Sequence, residues 1–543
     1  MAGAGLLVRL RGDGTPDGRP EQVPDLAAAV AAEERTCGAR WVWASTQRMY
    51  PALFRSGVRV ARCHDVELVG GLLAARDGLT VQSSSEPPAD RADERRMALE
   101  LPFDAGSVSG PEPPQALATL LAQHAEQLRQ IGADADPASF GLLAAAESAG
   151  GLVAAEMAAA GLPWRPDIHD RLLTELLGAR PPATAGPAVR PGRLAELAAE
   201  ISAELGAARP LNLDSPAQLL RALAASGIRV QSTRSAELRK VDHPAIALLL
   251  EYKELARLHT ANGWAWLETW VSDGRFRPEY VVGGVVSGRW ASRGGGALQI
   301  PKLLRQAVVA DPGWTLVVAD AAQLEPRILA ALAGDRAFAQ AAAAGDLYAA
   351  VAAAIGGDRA TAKVALLSAM YGGTGGDGGR SLALLRRRFP EASAFVESAA
   401  RAGEEGRVVR SVLGRACPPP SAAWRSLTSE SGDPEQQRDP GAGAAARARG
   451  RFTRNFVVQA SAADWALVLL ALLRARLAEL DGGPQLVFFQ HDEVIVHCPA
   501  SLATEVAMAI EASAAGATRL VFGATDVSFP MTTAIVECYA DAK

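Results

Sequence analysis

The sequence predicts a multidomain chain of mixed α+β and α/β structure, and three observations carry that expectation. A length of 543 residues exceeds what one hydrophobic core organises. Two strand-rich regions, "RPEYVVGGVVSGRW" with "WTLVVAD" and later "LVFFQHDEVIV" with "TTAIVEC", flank a helical stretch of about 120 residues. They are expected to join in one sheet, with the helical part projecting as a separate lobe. The first ~140 residues mix strand-like runs, "RWVWAS" and "GVRVARCHDVELVGGLLA", with Pro/Gly/Ser breaks such as "SSSEPPAD", which marks a distinct N-terminal part.

The order of elements follows from pattern. From about Phe140 the chain turns helical and Ala/Leu-rich, through "LLAAAESAGGLVAAEMAAAGL". A Pro/Ala linker, Gly178 to Gly192, precedes a second helical block that ends near His259. After the first strand-rich region and the Ala-rich helices, "PPPSAAWRSLTSESGDPEQQRDPGAGA" reads as loop by composition. A helix around Leu467–Leu480, a hairpin, another helix and a last strand close the chain.

Composition excludes several classes. A hydrophobic share of 49% with 21% charged residues describes a globular protein. No apolar stretch is expected to cross a bilayer, since "LVLLALLRARLAEL" is interrupted by arginines. Neither a secretory signal nor a further nuclease domain is expected ahead of the N-terminal part. Cys37, Cys63, Cys417, Cys498 and Cys538 lack finger or CxxC spacing, so a reduced, cytoplasmic location is expected. The net charge of −5 rules out a uniformly basic surface, yet Arg386 to Arg454 holds 13 arginines against 8 acidic residues. That excess suits a phosphate-rich ligand held on one surface, and equally a solvated Arg-rich face.

Three segments carry the chemistry. "QHDEVIV" places His491, Asp492 and Glu493 at the tip of an expected hairpin, where Asn, Gly or Pro would be ordinary. "TLVVADAAQLEPR" places Asp320 at the end of a strand, just before a helix that tolerates Pro326 in its first turn. Two such aspartates can converge on a hard divalent cation, and each alone also reads as a helix cap or turn residue. In "RATAKVALLSAMYGG", Arg359, Lys363, Leu367 and Tyr371 recur every four residues. On a helix they form one stripe, drifting about 40° per step, with cations for phosphates at one end and an aromatic for a base at the other. "GTGGDG" (Gly373 to Gly378) follows a helix, so it is not read as a dinucleotide loop.

In this order the three segments resemble the core motifs of family A DNA polymerases, the DNA polymerase I type with a Klenow-like layout. Asp320, Gln323, Glu325 and Arg327 match the first motif; Arg359, Lys363, Tyr371 and Gly372 the second; His491, Asp492 and Glu493 the third. "VSGRW" resembles the family's Thr-Gly-Arg turn, with Arg289 on its arginine, and "LQIP" (Leu298 to Pro301) a shortened following segment. Arg451, Asn455 and Gln459 keep the spacing of residues that contact template and primer.

The resemblance implies a right-hand architecture: an exonuclease-like α/β domain in 1–140, a helical thumb region with linker in 141–269, palm in 270–330 and 451–543, and fingers in 331–450. It implies template-directed addition of deoxynucleotides to a primer 3′-hydroxyl, by a monomer that engages primer-template DNA, deoxynucleoside triphosphates and no membrane. Asp320, Asp492 and the Ala321 carbonyl would hold two Mg²⁺, for which Mn²⁺ can substitute, with Glu493 in support. Arg359, Lys363, Leu367, Tyr371, Gln323 and Glu325 would bind the nucleotide, and Lys363 would help pyrophosphate leave. Arg289, Arg451, Asn455, Gln459 and His491 would contact DNA.

The departures have physical consequences. Ala321 and Ala322 replace Tyr-Ser, Leu367 replaces the aromatic of the helix stripe, and Tyr348 in "GDLY" stands where His is common. Unusual nucleotide handling is therefore expected. The N-terminal part lacks an Asp-x-Glu at an early strand end, Arg48 falls near a second catalytic Asp, and no 3′–5′ exonuclease activity is expected. The alternatives are a primer-template-binding protein with little synthesis and a metal-dependent nuclease.

Overall fold

The computed structural model describes residues 3–79, 113–182, 190–207, 209–293, 295–296, 300–343, 345–372, 378–429 and 440–542. The "SSSEPPAD" break lies outside the described residues, as do 183–189 of the Pro/Ala linker, Leu298 and Gln299 of "LQIP", and 373–377 of "GTGGDG". The chain divides into two compact units. The larger comprises Met1–Ala159, Tyr280–Ala291 and Val317–Ala534; the smaller comprises Ala160–Glu279, Ser292–Leu316 and Ile535–Lys543.

The larger unit opens with an antiparallel strand pair, Gly5–Leu7 and Glu21–Val23, followed by a parallel pair, Arg40–Trp43 and Arg62–Asp65, joined through the helix Thr46–Arg55. The strand-like reading of "GVRVARCHDVELVGGLLA" holds only for Arg62–Asp65, because Val66–Arg76 is helical. Its buried Val66, Val69, Leu72 and Leu73 recur at helical spacing, and Asp65 caps the helix by accepting the Leu68 amide at 3.0 Å.

The expected common sheet forms only in part: of the first strand-rich region Trp314–Ala321 joins it, while Glu279–Val281 pairs with Ala291–Arg293 in a separate two-stranded sheet. The four strands of the common sheet run in the order Gln485–Gln490, Glu493–Pro499, Trp314–Ala321, Met531–Val536. Leu316 to Ala319 and Val494 to Val496 are almost wholly buried, which accounts for their unbroken apolar runs. Gln485–Gln490 and Glu493–Pro499 form the expected antiparallel hairpin, closed by the pair Gln490–Glu493.

The C-terminal part differs from expectation. The stretch read as loop contains a helix, Ala422–Ser429, and the helix expected near Leu467 begins at Pro440 and runs 38 residues to Leu477. Gly441 and Gly443 concealed it, while Pro440 at its start forfeits no helical amide bond. Among the described residues, this helix (from Gly441) and Pro137–Ala160 are long and apolar enough to cross a membrane, contrary to expectation. Their most apolar windows are 83% and 56% buried, so both serve as core helices.

The smaller unit packs Pro166–Leu177, Gly192–Glu204, Pro216–Ala225, Pro244–Asn262 and Trp264–Trp270, with a small sheet of Leu162–Pro163, Arg275–Phe276 and Val271–Ser272. Trp164, Trp266, Phe276 and His169 form an aromatic core with ring centroids 4.9 to 5.6 Å apart.

Candidate functional site

The larger unit brings the two aspartates of the sequence reading together. Asp320 is half-buried near the end of Trp314–Ala321, whose neighbour in the sheet is Glu493–Pro499. The Ala321 amide donates to the Asp492 carbonyl at 2.9 Å, so both aspartates emerge at the same end of adjacent strands. The hairpin tip is the two-residue turn His491–Asp492. Glu493, next in chain, is buried at 3% exposure.

His491 takes a left-handed φ of 57°, and so does Gln323, the cap of the helix Leu324–Ala333. Among the described residues only one other non-glycine, Asp273, has positive φ. Such backbone strain persists where the surroundings impose it and clusters at functional sites. Gln323 is fixed through its amide: Oε1 accepts from the Leu347 amide at 2.9 Å and Arg327 Nη2 at 3.3 Å, while Nε2 donates to Asp346 Oδ1 at 2.9 Å.

Glu325 links three segments. Its Oε1 accepts from Arg289 and its Oε2 from the Tyr371 hydroxyl. Burial, reinforced by Glu325, pushes the Tyr371 phenol well above its usual range, and Gln459 hydrogen-bonds the same side chain. His491 feels Arg289 and Glu325 as well; burial, then the Arg289 charge, holds its imidazole below the ordinary value. Arg289, Glu325, Tyr371, Gln459 and His491 thus form one cluster. His491 and Arg289 also line a small cleft with Trp290 and Phe489.

The turn that carries Arg289 is held from two sides. Trp290 packs between Tyr280 and Phe489, at centroid distances of 5.7 and 5.2 Å, which ties it to the hairpin strand. Behind it lies a buried ion network that sequence reasoning missed. Arg415 pairs with Glu147 Oε2 at 2.7 Å and Asp464 Oδ1 at 3.1 Å, with all three side chains at most 6% exposed. Gly288, at φ 82°, leaves the space that the Arg415 guanidinium fills, and any β-carbon there would collide with it.

The cationic stripe lies on the helix Arg359–Tyr371, capped by Asp358, whose carboxylate accepts the Thr361 amide at 2.7 Å. Arg359, Lys363 and Val364 are exposed, while Leu367 and Tyr371 are half-buried. Arg359 Nε donates to Asp346 Oδ2 at 2.6 Å. Arg359 and Lys363 both lie over the Tyr348 ring, 5.6 and 5.9 Å from its centroid. Asp346 is a further residue that the sequence reading missed, although it is the aspartate of "GDLY", two residues before Tyr348.

Arg451, Asn455 and Gln459 share one face of the long helix, four residues apart. Arg451 is exposed and packs beside Gly372 at the end of the cationic helix. The buried Asn455 Oδ1 has no hydrogen-bond partner among the described residues.

A carboxylate pair at one end of the two central strands of the sheet, with a cationic helix and an arginine-bearing helix in the same unit, is an arrangement that suits nucleotidyl transfer. The chain belongs to DNA polymerase family A, whose model matches residues 190–535. It is 26% identical over 343 residues to a thermostable DNA polymerase I of Thermus filiformis, covering 55% of this chain and 38% of that protein. It is 32% identical over 133 residues to DNA polymerase I of Chloroflexus aurantiacus, covering 23% of this chain and 14% of that protein. The chain therefore spans about two fifths of the length of the Thermus relatives. Among solved structures, the POL domain of Pol1 from M. smegmatis, in complex with DNA primer-template and dNTP, has the same fold. The TM-score is 0.70 at 18% identity, covering 99% of this chain and 96% of that one.

Proposed function

We propose that the chain is a template-directed DNA polymerase that adds deoxynucleotides to a primer 3′-hydroxyl. The bond from the Ala321 amide to the Asp492 carbonyl carries the reading, because it sets the two aspartates side by side. Asp320, Asp492 and the Ala321 carbonyl would hold two Mg²⁺, or Mn²⁺ in their place. Mg²⁺ is commonly held by one or two carboxylates completed by substrate phosphates and water. That donor set fits a site where no group of three or more His, Cys, Asp or Glu converges among the described residues. When bound, such ions supply activation of the attacking oxygen and charge stabilisation on the leaving one.

The chain's own residues do the rest. Arg359 and Lys363 bind the triphosphate, and Lys363 supports departure of pyrophosphate. Glu325, held by Arg289 and Tyr371, closes against the sugar C2′ and excludes ribonucleotides. Gln323 acts by fixing Asp346 and the start of the next helix. Leu367 and Tyr371 pack the sugar and base. Arg289, Arg451, Asn455, Gln459 and His491 line the primer-template, and Glu493 supports Asp492. The palm comprises 270–330 and 451–543, the fingers 331–450 and the thumb region 141–269.

The N-terminal part is proposed to lack proofreading. Both Asp65 oxygens are committed, Oδ2 to the Thr46 amide at 2.6 Å and Oδ1 to the Leu68 amide at 3.0 Å, and Glu67 pairs with Arg48 at 3.1 Å. Five free cysteines suit a reduced, cytoplasmic setting. The test is primer extension with Mg²⁺ on a defined template. Extension should disappear in Asp320→Ala and in Asp492→Ala; unchanged extension in either would overturn the site. Loss of nucleotides from a 3′-labelled primer in the absence of dNTP would overturn the exonuclease assignment.

A further inference from the structure

Resting on the polymerase reading, we infer that Asp346 and Tyr348 form a socket that positions Arg359 for the nucleotide triphosphate. The two residues act on different surfaces of one guanidinium. Asp346 Oδ2 takes its Nε edge at 2.6 Å. The Tyr348 ring covers a face, 5.6 Å from ring centroid to Cζ. Among the described residues Arg359 makes no other hydrogen bond or ion pair, so the edge bearing Nη1 and Nη2 stays open. That open edge is the one that binds two phosphate oxygens in parallel.

The socket is itself fixed. Asp346 caps the helix Leu347–Ile355, its Oδ1 accepting the Tyr348 and Ala349 amides at 3.0 and 3.2 Å. The same oxygen accepts Gln323 Nε2 at 2.9 Å, which anchors it to the segment bearing Asp320 and Glu325. Tyr348 is 7% exposed, so its ring is a rigid platform. Arg359 has a side chain 57% exposed and would otherwise sample many rotamers in water. Holding it before the ligand arrives removes part of that entropy from the cost of binding. Lys363 lies over the same ring at 5.9 Å and has no ion-pair partner among the described residues. The ring therefore also brings the second cation, one helical turn on, beside the first. The socket thus belongs to this chain's departures: an aromatic is lost at Leu367 and one is present at Tyr348, under the cations.

The test measures the dissociation constant of deoxyadenosine triphosphate with Mg²⁺, using the full chain on a dideoxy-terminated primer opposite template thymidine. Asp346→Asn keeps the capping oxygen and removes the acceptor of Arg359 Nε, and it should weaken binding about two- to five-fold. Tyr348→Leu should weaken it by a similar factor through loss of the cation–π contacts, and Tyr348→Phe, which keeps the ring, should bind like the parent. In an Arg359→Ala background, adding Asp346→Asn should have no further effect, because Asp346 acts through Arg359; an additive loss would assign it a purely structural role and overturn the inference. Tighter binding by Asp346→Asn would mean that the carboxylate competes with phosphate, and it too would overturn the socket. If the parent chain binds no nucleotide, the polymerase reading falls and the inference with it. If the parent binds and both variants match it, the inference alone falls.

Discussion

Glu325 accepts one donor on each oxygen, Arg289 on one side and Tyr371 on the other, so neither oxygen is left to wander. One turn of helix before Tyr371, Leu367 is half-buried on the same stripe and offers a flexible apolar side chain where a flat ring would pack better. Leu367→Phe should tighten nucleotide binding by roughly 0.5–1.5 kcal/mol, the usual gain from an added aromatic contact. Equilibrium titration of the ternary complex reads this directly, and unchanged affinity would mean that another side chain already supplies the packing. At this scale the sequence was informative where a residue was out of character for its place. Acidic residues at a hairpin tip and an aspartate ending an apolar strand stood out without any knowledge of the fold. Asp346 did not stand out, because an aspartate before a helix is an ordinary cap and its partner Arg359 comes 13 residues later.

Among elements, the turn 283–288 shows how a buried charge can shape a surface loop. Arg415 occupies the space left by Gly288 and is paired on both sides, which raises its guanidinium further above its usual range through Glu147 and Asp464 despite burial. Burial pushes the Asp464 carboxyl up from its ordinary value, and Arg415 opposes that shift. Arg415→Leu would leave two buried carboxylates without their cation, at a cost of about 3–5 kcal/mol. Urea unfolding should show a lower midpoint and an unfolding free energy reduced by that amount, and Gly288→Ala should also destabilise, since it adds a collision at a left-handed φ of 82°. None of this was legible in the sequence. Glu147 and Arg415 are 268 residues apart, and nothing in local pattern pairs them. The stripe Arg359–Tyr371 was legible because its partners lie within one helical period. The helix Pro440–Leu477 was half legible: its apolar end shows the period, and its Gly-rich start hides it.

For the molecule as a whole, acid should be a sharper stress than salt. In the smaller unit His169 is fully buried, accepting from Trp164 Nε1 on Nδ1 at 3.3 Å and donating from Nε2 to the Asn262 carbonyl at 2.9 Å. Burial pushes its imidazole from 6.5 down to about 4. The unfolded chain therefore takes up the proton first. Stability is full above pH 6.5 and falls as the pH drops toward 4, by about 3 kcal/mol from this residue, then levels off. Chemical denaturation at pH 7, 5.5 and 4 should show that slope, and His169→Asn should reduce it by this residue's share, leaving that of His124, which burial likewise pushes from 6.5 down to about 4. The two-unit division was only partly legible, since segments distant in sequence contribute to each unit.

The long helix has one further consequence. At about 1.5 Å per residue its 38 residues make a rod of about 57 Å. Arg451, Asn455 and Gln459 lie between its first third and its middle; near the other end, Arg474 grips Glu156 at 2.6 Å and the Ala61 carbonyl at 3.0 Å. A pivot of one degree about that grip displaces Gln459, Asn455 and Arg451, about 22, 28 and 34 Å from Arg474, by about 0.4 to 0.6 Å, a large fraction of the roughly 1 Å misplacement that can slow an enzyme about a hundredfold. Glu156 and Arg474 thus act as the bearing of a lever, and the accuracy with which three distant side chains are aimed depends on how little that bearing gives.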